Sequence, residues 1–459
     1  MSLLPVISKV QERYVASRLV PHVKKILYPF QHGFQKGKSC VTQLIEVFYD
    51  IGHALDRKLE SDIIYLDFSE AFDSVCPAKL VLKLKTFGID DPLLAWFYSY
   101  LTGRRQRVVI NGTFSNWTGV GSGVPQESLQ GPILFLLFVN DMPNVINSAT
   151  LAMFADDSKC YRIINDDADF AKLQQDLVSL TTWSLSNELY FQPTKCSNLR
   201  ISRKRISSYR SYSINGIDVE VVSTEKDLGV VIVNDTSWKD HILMIVAKAN
   251  RLLGFIRRSC AGIVGSVPPL RLYCSLVCSH FCYCSQLWAP QSVISNLFLV
   301  KNVQKRATRF ILKRNSSNLS YEDRLIKLKL LPLNYWLEYL DLVFFFKCLH
   351  GHIDLTCSFN YYFSFVTSQM RQACSGLNFK INKNHTSTFR DFYFNRIANL
   401  WNNIPNNVRQ AESIDSFKRK LKSFYFKRLF NVFDGDYFLT FKIICPKCRR
   451  VNTLVACTC

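Results

Sequence analysis

The stretch YLDFSEAFDSV at residues 65–75, taken together with FADDSKCY at residues 154–161, decides the fold. The run at 63–66 is rich in β-branched and aromatic residues, which predicts a buried strand that ends at Asp67. The second stretch predicts two short strands joined by a turn, with Asp156 and Asp157 at its tip. If these strands are neighbours in one sheet, the three carboxylates converge at one edge.

Three aspartates that meet at the edge of a sheet can hold divalent cations. Mg²⁺ is a hard cation that prefers carboxylate oxygens and keeps several of its waters. Two such ions, about 4 Å apart, can activate an attacking oxygen and stabilise a leaving group during displacement at phosphorus. An Asp-Asp pair is also common in solvated turns, so an ordinary surface turn is the alternative for Asp156 and Asp157.

Hydrophobic periodicity and turn residues predict an α+β chain. Helices are predicted at residues 6–28, 39–56, 78–87, 92–101, 167–188, 238–258, 269–288 and 297–313. Strands are predicted at residues 63–66, 107–111, 116–120, 151–154 and 159–164. The turn Asn111-Gly112 should join the second and third of these strands in a hairpin. Because the character changes to helix near residue 235, we expect a domain boundary there.

The charge balance favours an acidic polymer as partner. The 459 residues carry a formal net charge of +21, with 48% hydrophobic and 20% charged residues, which predicts a folded, strongly basic chain. Nucleic acid fits this charge because each neutralised phosphate releases counterions, although solvated helix faces can explain any single basic cluster. The 16 cysteines form no even framework and no signal peptide is evident, so an intracellular, reducing compartment is predicted. The apolar runs are too short to span a bilayer, and no membrane role is expected.

Several longer motifs stand in a recognisable order. The segments at 65–75 and 154–161, with GVPQESLQGPILFLLFVNDM at 123–142 between them, resemble the palm motifs of reverse transcriptases. HGFQKGKSCVTQL at 32–44 is similar to the segment that precedes the palm. The later segments LYCSLVCSHFCYCSQLW (272–288), VQKRATRFIL (303–312) and FNRIANLWNNIP (394–405) resemble the region after the palm in non-LTR, LINE-type retrotransposon polymerases.

The resemblance implies an α+β right-hand polymerase, in which helices pack on an antiparallel palm sheet. It implies partial fingers at residues 1–60, a palm with a primer-grip hairpin at 61–235, a helical thumb at 236–315, a C-terminal helical region at 316–435 and a cysteine-rich tail at 436–459. The implied activity is RNA-directed DNA polymerisation from a 3′-OH primer, with an RNA template, a DNA primer or target, dNTPs and two Mg²⁺ ions. Nuclear action would follow from a chromosomal nick that supplies the primer.

Carried onto this sequence, the resemblance assigns roles to single residues. Asp67, Asp156 and Asp157 would hold the two Mg²⁺ ions, and Lys195 would be the general acid for pyrophosphate, with a surface lysine as the alternative. Nucleotide binding would use the carbonyl of Phe68, the ring of Phe72 as a steric gate against the 2′-OH, and Gln126 against the sugar. Nucleic-acid contacts are expected at Arg104, Arg105 and Arg107 for backbone phosphates, and at Asn215-Gly216 and Leu228-Gly229 in the primer grip, where plain hairpins are the alternative.

Two departures from the family pattern bear on activity. Glu127 stands where the family's GVPQGS motif has a glycine that permits close backbone approach, and Gln130 stands at a usually apolar position. The start MSLLPV resembles the tail of the family's RPISLLPV segment, which predicts truncation within the fingers. We therefore expect weak or absent polymerase activity, and a catalytically inactive nucleic-acid-binding remnant is the alternative function.

The last fifteen residues contain four thiols. Cys445 and Cys448 form a CxxC pair, the usual first half of a structural zinc site, and Cys457 and Cys459 form a tighter CxC pair. The four are a candidate Zn²⁺ site, with unligated tail thiols as the alternative.

Overall fold

The computed structural model describes residues 5–204, 211–289, 294–312, 318–364, 378–381, 384–431, 442–444 and 451–453. The chain forms two compact units. The first consists of residues 1–43 and 58–228, and the second of residues 44–57 and 229–459.

The first unit mixes helices and strands. Its helices are Val6–Ile26 (α1), Cys40–Asp56 (α2, which continues into the second unit), Pro77–Thr86 (α3), Leu93–Leu101 (α4), Gln130–Val139 (α5) and Asp167–Asn187 (α6). Its strands are Glu60–Leu66 (β1), Arg104–Gln106 (β2), Val109–Ile110 (β3), Thr113–Phe114 (β4), Thr118–Val120 (β5), Thr150–Phe154 (β6), Asp157–Ile164 (β7), Ser197–Ile201 (β8), Ser213–Ile214 (β9), Ile217–Asp218 (β10), Glu220–Val222 (β11) and Thr224–Asp227 (β12). Short 3₁₀ turns lie at Met142–Val145 and Pro193–Lys195.

A five-stranded sheet in the order β11-β8-β1-β7-β6 is the centre of this unit. Strand β1 pairs antiparallel with both β7 and β8, and β6 pairs antiparallel with β7. Ile64 and Leu66 of β1 share one buried core with Leu134 of α5 and Leu177 of α6. The predicted α+β class is confirmed, with helices packed on a sheet that is antiparallel except at one edge, where β11 pairs parallel with β8.

Helix α6 begins and ends as the sequence predicts. The side chain of Asp166 accepts a hydrogen bond from the N–H of Asp169, which caps one of the helix's otherwise unpaired donors. The Asp169 carboxylate in turn accepts hydrogen bonds from Arg162 and Asn165, which hold its pKa below the usual range. Glu188 closes the helix in the left-handed region at φ 57°. The cap therefore fixes the chain directly after β7.

The hairpin at residues 104–120 differs from the prediction. We expected residues 107–111 to pair with 116–120, but β3 pairs with β4 across Asn111-Gly112, and β2 pairs with β5. Asn111 and Gly112 have φ values of 48° and 85°, which allow a tight turn that joins β3 and β4 directly. The turn therefore sets the pairing, and the predicted pairing was wrong.

The second unit is mainly helical. Its helices are Lys239–Ser259 (α7), Val267–Leu272 (α8), Cys278–Cys282 (α9), Ser285–Trp288 (α10), Ile294–Leu312 (α11), Tyr321–Leu328 (α12), Leu333–Leu349 (α13), Phe359–Tyr362 (α14), Ser387–Arg390 (α15), Tyr393–Asn402 (α16), Asn406–Arg409 (α17) and Ile414–Phe430 (α18). Its strands are Val230–Val233 (β13), Lys442–Ile444 (β14) and Val451–Thr453 (β15). The expected continuous helix at 269–288 is wrong, because a π-helical segment at Tyr273–Val277 and the left-handed Cys284 interrupt it.

A buried ion pair joins three elements of the second unit. The Arg396 guanidinium of α16 lies 2.9 Å from a carboxylate oxygen of Asp341 on α13, and it also donates to the carbonyl of Gln286 on α10. Burial raises the pKa of Asp341 to about 6 even beside this partner. Buried charges are tolerated only when paired in this way.

Two predictions concern membranes and zinc. Among the helices of the described residues, none combines the length and the apolar character needed to cross a bilayer. The candidate zinc ligands Cys445, Cys448, Cys457 and Cys459 lie outside the described residues.

Candidate active site

The three predicted carboxylates lie at one end of the central sheet. Asp67 directly follows β1, and Asp157 is the first residue of β7. Leu66 pairs with Ser158, so the next step of the same antiparallel register sets Asp67 beside Asp157. Asp156 occupies the tight turn between β6 and β7, since Phe154 pairs with Asp157. The structure thus brings together the residues that the sequence predicted to converge.

The carboxylates disturb one another's ionisation. Burial raises the pKa of Asp156, and the nearby charge of Asp67 raises it further. Desolvation and the charge of Asp156 raise the pKa of Asp157 to about 6. Like charges at close range disfavour ionisation. A cation bound between the carboxylates would relieve this repulsion.

The donor chemistry of this site fits Mg²⁺. All three side chains are carboxylates, which hard cations prefer. The Lys195 ammonium already lies 3.3 Å from a carboxylate oxygen of Asp67 and supplies positive charge there. Within the described parts of the chain, no three His, Cys, Asp or Glu side chains are drawn together as closely as metal ligands.

The segment that carries Lys195 is attached to the backbone at Asp67. The N–H of Gln192 donates to the carbonyl of Asp67 over 2.8 Å, and the rings of Phe68 and Phe191 stack with centroids 4.7 Å apart. A second hydrogen bond runs from the N–H of Ser69 to the carbonyl of Tyr190, so neither bond involves the carbonyl of Phe68, which is a predicted nucleotide-binding group. The 3₁₀ turn at Pro193–Lys195 follows, so Lys195 is held beside Asp67 by backbone contacts.

The side chain of Gln31 holds the turn of Asp156, and no pattern in the sequence indicated this role. Gln31 is 2% exposed, and its Oε1 accepts from the N–H of Ala155 at 2.8 Å while its Nε2 donates to the Ala155 carbonyl at 3.3 Å. Ala155 has a φ of 58°, in the left-handed region that non-glycine residues rarely adopt. The backbone of Phe30 and His32 also bonds to Met153 of β6. Gln31 therefore fixes both polar groups of a strained residue next to Asp156.

A buried cluster of three polar side chains joins β12 to β7 and β1. The Asp227 carboxylate of β12 forms an ion pair with Lys159 of β7 and accepts from the hydroxyl of Tyr65 on β1 over 3.1 Å. Tyr65 and Lys159 face each other in the register of the two strands. This group ties the strand before Leu228 to the sheet that carries Asp67. No sequence motif indicated it, because its members are far apart in the chain.

The predicted nucleotide-binding residues lie on adjacent segments. The ring of Phe72 stacks on buried Phe135 of α5, with centroids 4.3 Å apart. The N–H of Val124 donates to the carbonyl of Phe72, which brings the loop at 121–126 against this segment. The amide of Gln126 donates to both carboxylate oxygens of Asp73 at 2.9 Å. Phe72 and Gln126 are therefore held on one surface of the first unit.

The two residues that depart from the family pattern have different settings. Glu127 is exposed and has a φ of 57°, the backbone conformation that a glycine adopts without strain. Gln130 is fully buried at the start of α5, and its amide donates to the carbonyl of Glu12 on α1 over 2.9 Å. Gln130 thus has a packing role, whereas Glu127 occupies a glycine-like position.

Replacing Glu127 with glycine is expected to raise both stability and activity. The left-handed backbone costs a non-glycine residue roughly 1 kcal/mol, part of which the greater freedom of unfolded glycine offsets. Glu127→Gln is the matched control, because it removes the charge and keeps the strain. Melting temperature and primer extension should both rise for Glu127→Gly, while Glu127→Gln should gain activity only. Equal melting temperatures for all three chains would contradict the strain argument.

The predicted nucleic-acid contacts are found in three places. The Arg104 guanidinium donates to the carbonyls of Ser122 and Gly123 at 2.7 and 2.5 Å, so it anchors the loop that leads to Gln126. Arg105 and Arg107 are exposed on the hairpin at 104–120. Asn215-Gly216 and Leu228-Gly229 form left-handed turns after β9 and β12, with φ between 44° and 84°. These three places lie on elements other than the strands that carry the three carboxylates.

Known proteins with similar sequences identify the family. Residues 1–237 match the family model described as reverse transcriptase (RNA-dependent DNA polymerase). The chain is 31% identical over 330 residues to the probable RNA-directed DNA polymerase from transposon X-element of Drosophila melanogaster, covering 68% of this chain and 35% of that protein. It is 29% identical over 257 residues to the RNA-directed DNA polymerase from mobile element jockey of Drosophila funebris, covering 52% of this chain and 27% of that protein.

Among solved structures, apo telomerase from Candida tropicalis aligns with 75% of this chain and 59% of its own, at 12% identity and a TM-score of 0.38. The chain spans about a third of the length of the curated relatives it matches. These relatives are polymerases of LINE-type, non-LTR retrotransposons. The chain belongs to the reverse transcriptase family, in its non-LTR retrotransposon branch.

Proposed function

We propose that this chain polymerises DNA on an RNA template, extending a 3′-OH primer with deoxynucleotides. The observation that carries the proposal is the placement of Asp67, Asp156 and Asp157 at one end of the sheet, with Lys195 against Asp67. The raised pKa values of Asp156 and Asp157 support it, since a site in which carboxylates repel one another favours bound cations. Membership of the family, whose enzymes generally use Mg²⁺, supports it further.

Each residue has a proposed task. Asp67, Asp156 and Asp157 would hold two Mg²⁺ ions, which supply charge neutralisation for phosphoryl transfer. Lys195 would hold a proton at its ammonium for the departing pyrophosphate. Phe72, fixed by its stacking on Phe135, would exclude a 2′-OH. Phe68 and Gln126 would contact the nucleotide from the adjacent segments.

The wider assignments are part of the same proposal. The regions at 1–60, 61–235, 236–315 and 316–435 would belong to the fingers, the palm, the thumb and a C-terminal helical region. Asn215-Gly216 and Leu228-Gly229 would contact the primer, and use of a chromosomal nick would place the reaction in the nucleus. The tail cysteines would bind zinc, which elemental mass spectrometry of the purified chain tests at one ion per chain.

Primer extension tests the proposal. The full chain is incubated with a labelled DNA primer on an RNA template, dNTPs and Mg²⁺, and product length is read on a gel. Extension that a chelator abolishes, and that an Asp156→Asn preparation lacks, is the expected result. Tight template binding without any extension would favour the nucleic-acid-binding remnant, for which the strained Glu127 is the supporting observation.

A further inference from the structure

The hairpin at residues 104–120 exposes an unusual apolar surface. Every residue from 105 to 119 is exposed to solvent. Five large apolar side chains in it are each more than half exposed, namely Val108, Val109, Ile110, Phe114 and Trp117. Apolar side chains that cluster at a surface commonly mark a binding site.

Two aromatic rings and one arginine lie together on this hairpin. The Arg107 guanidinium carbon lies 4.1 Å from the centre of the Phe114 ring and 4.6 Å from that of Trp117. Arg105 is exposed on β2, two residues before Arg107, and it pairs with Gly119, which has no side chain to cover it. The face formed by Arg107, Phe114 and Trp117 is therefore aromatic and positively charged.

The charge of the hairpin indicates which class of molecule it binds. Residues 104–120 contain three arginines and no aspartate, glutamate or lysine. A protein partner would have to desolvate these guanidinium groups, whereas nucleic-acid phosphates neutralise them and release counterions. Aromatic rings and arginine planes are surfaces on which bases stack without regard to sequence. Bases in a duplex already stack on each other, so the face suits unpaired ones.

The base of the hairpin connects this face to the candidate active site. Arg104 binds the carbonyls of Ser122 and Gly123, and it also donates to the carbonyl of Leu101 at the end of α4. These bonds fix the hairpin to the loop that carries Gln126. A nucleic-acid strand bound to the hairpin would therefore contact a part of the chain that is attached to the loop of Gln126.

We propose that the face formed by Arg107, Phe114 and Trp117 is a stacking platform for unpaired bases of single-stranded nucleic acid, with the exposed Arg105 available for a phosphate. The proposal rests on nucleic acid as the substrate of the proposed polymerase but not on catalysis. The platform binds RNA and DNA alike, because stacking and phosphate contacts are common to both.

Fluorescence anisotropy with the full chain tests the platform. Labelled single-stranded RNA, single-stranded DNA and blunt duplex of equal length are titrated with chelator present, so that catalysis plays no part. In a Phe114→Ala/Trp117→Ala chain, Kd for both single strands should rise about fivefold or more, with little change for duplex. The salt dependence should stay the same, because no charge is removed. Arg107→Gln should instead lower the slope of log K against log salt by about one.

Two further variants test whether a loss of affinity is specific to the two rings of the platform. Tyr14→Ala is the matched control, because Tyr14 is another exposed ring with an arginine, Arg18, 5.7 Å from its centre. It should leave single-strand affinity unchanged. Phe114→Tyr/Trp117→Tyr keeps both rings and should bind as the wild type does, which separates loss of stacking from loss of folding.

Three outcomes would overturn the platform. The first is unchanged single-strand affinity in the double alanine chain. The second is a loss of self-association in sedimentation velocity without a loss of nucleic-acid binding, which would identify a protein-docking face. The third is a wild-type chain that binds neither single strands nor duplex, and only this outcome would also contradict the polymerase proposal.

Discussion

Replacing Asp156 with asparagine should reduce primer extension about a thousandfold or more while leaving the fold intact. Metal-ion stabilisation of transition-state charge is worth several kcal/mol, and each 1.36 kcal/mol is a factor of ten in rate. Asparagine has the size of aspartate but no charge, so it weakens cation binding without a change in packing. Single-turnover primer extension at saturating dNTP measures the effect.

Stability should change in the opposite direction to activity. Burial and the charge of Asp67 both raise the pKa of Asp156, which means that its charged form is unfavourable in the folded chain. Removing that charge relieves repulsion, so the melting temperature without metal should stay equal or rise. A lower melting temperature in Asp156→Asn would show that the carboxylate is structural and would contradict the proposed role.

Asp90→Asn is the matched control. Asp90 is an exposed aspartate between α3 and α4 of the same unit, outside the central sheet. The same chemical change there should alter neither extension nor the concentration of Mg²⁺ needed for half-maximal rate. If both variants lose activity equally, the loss reflects overall charge and not the site.

Local sequence patterns predicted the elements that carry the carboxylates. The run before Asp67 and the alternation around Asp156 are short-range signals, and β1, β6 and β7 form where they indicated. Helix α6 was predicted for the same reason, because hydrophobic periodicity and helix-start residues are local signals. Convergence of the three aspartates needed the further assumption that β1 and β7 pair, which the structure confirms.

Contacts between distant residues could not be predicted in this way. Gln31 and Ala155 are 124 positions apart, and Lys159 and Asp227 are 68 apart. Neither pair leaves a periodic pattern in the sequence. A glutamine or a lysine is usually exposed, so the sequence gives no reason to expect that Gln31 and Lys159 are buried. The pairing of the hairpin at 104–120 was wrong for a different, local reason. An Asn-Gly turn joins two strands directly, so β4 begins at once after Gly112, whereas the predicted partner strand began only at residue 116.

Replacing Gly33 with alanine should destabilise the chain by about 1 to 3 kcal/mol and reduce activity at the same time. A Cβ atom on Gly33 would lie 2.3 Å from the backbone nitrogen of Ala155 and 2.9 Å from its Cα. Backbone cannot move aside as a flexible side chain can, so the turn of Asp156 must shift. Thermal unfolding and primer extension of the same preparation measure both effects.

Two variants make the Gly33→Ala prediction specific to this contact. Gly262→Ala is the matched control, because a Cβ there meets nothing within 4 Å, and it should change neither quantity. Ala155→Gly should stabilise the wild-type chain by relieving the φ of 58°, yet it should rescue Gly33→Ala only in part. The rescue is partial because removing the Ala155 side chain ends a 3.0 Å contact but leaves the backbone nitrogen at 2.3 Å. Full rescue would show that side-chain crowding, and not the backbone position of the turn, limits the site.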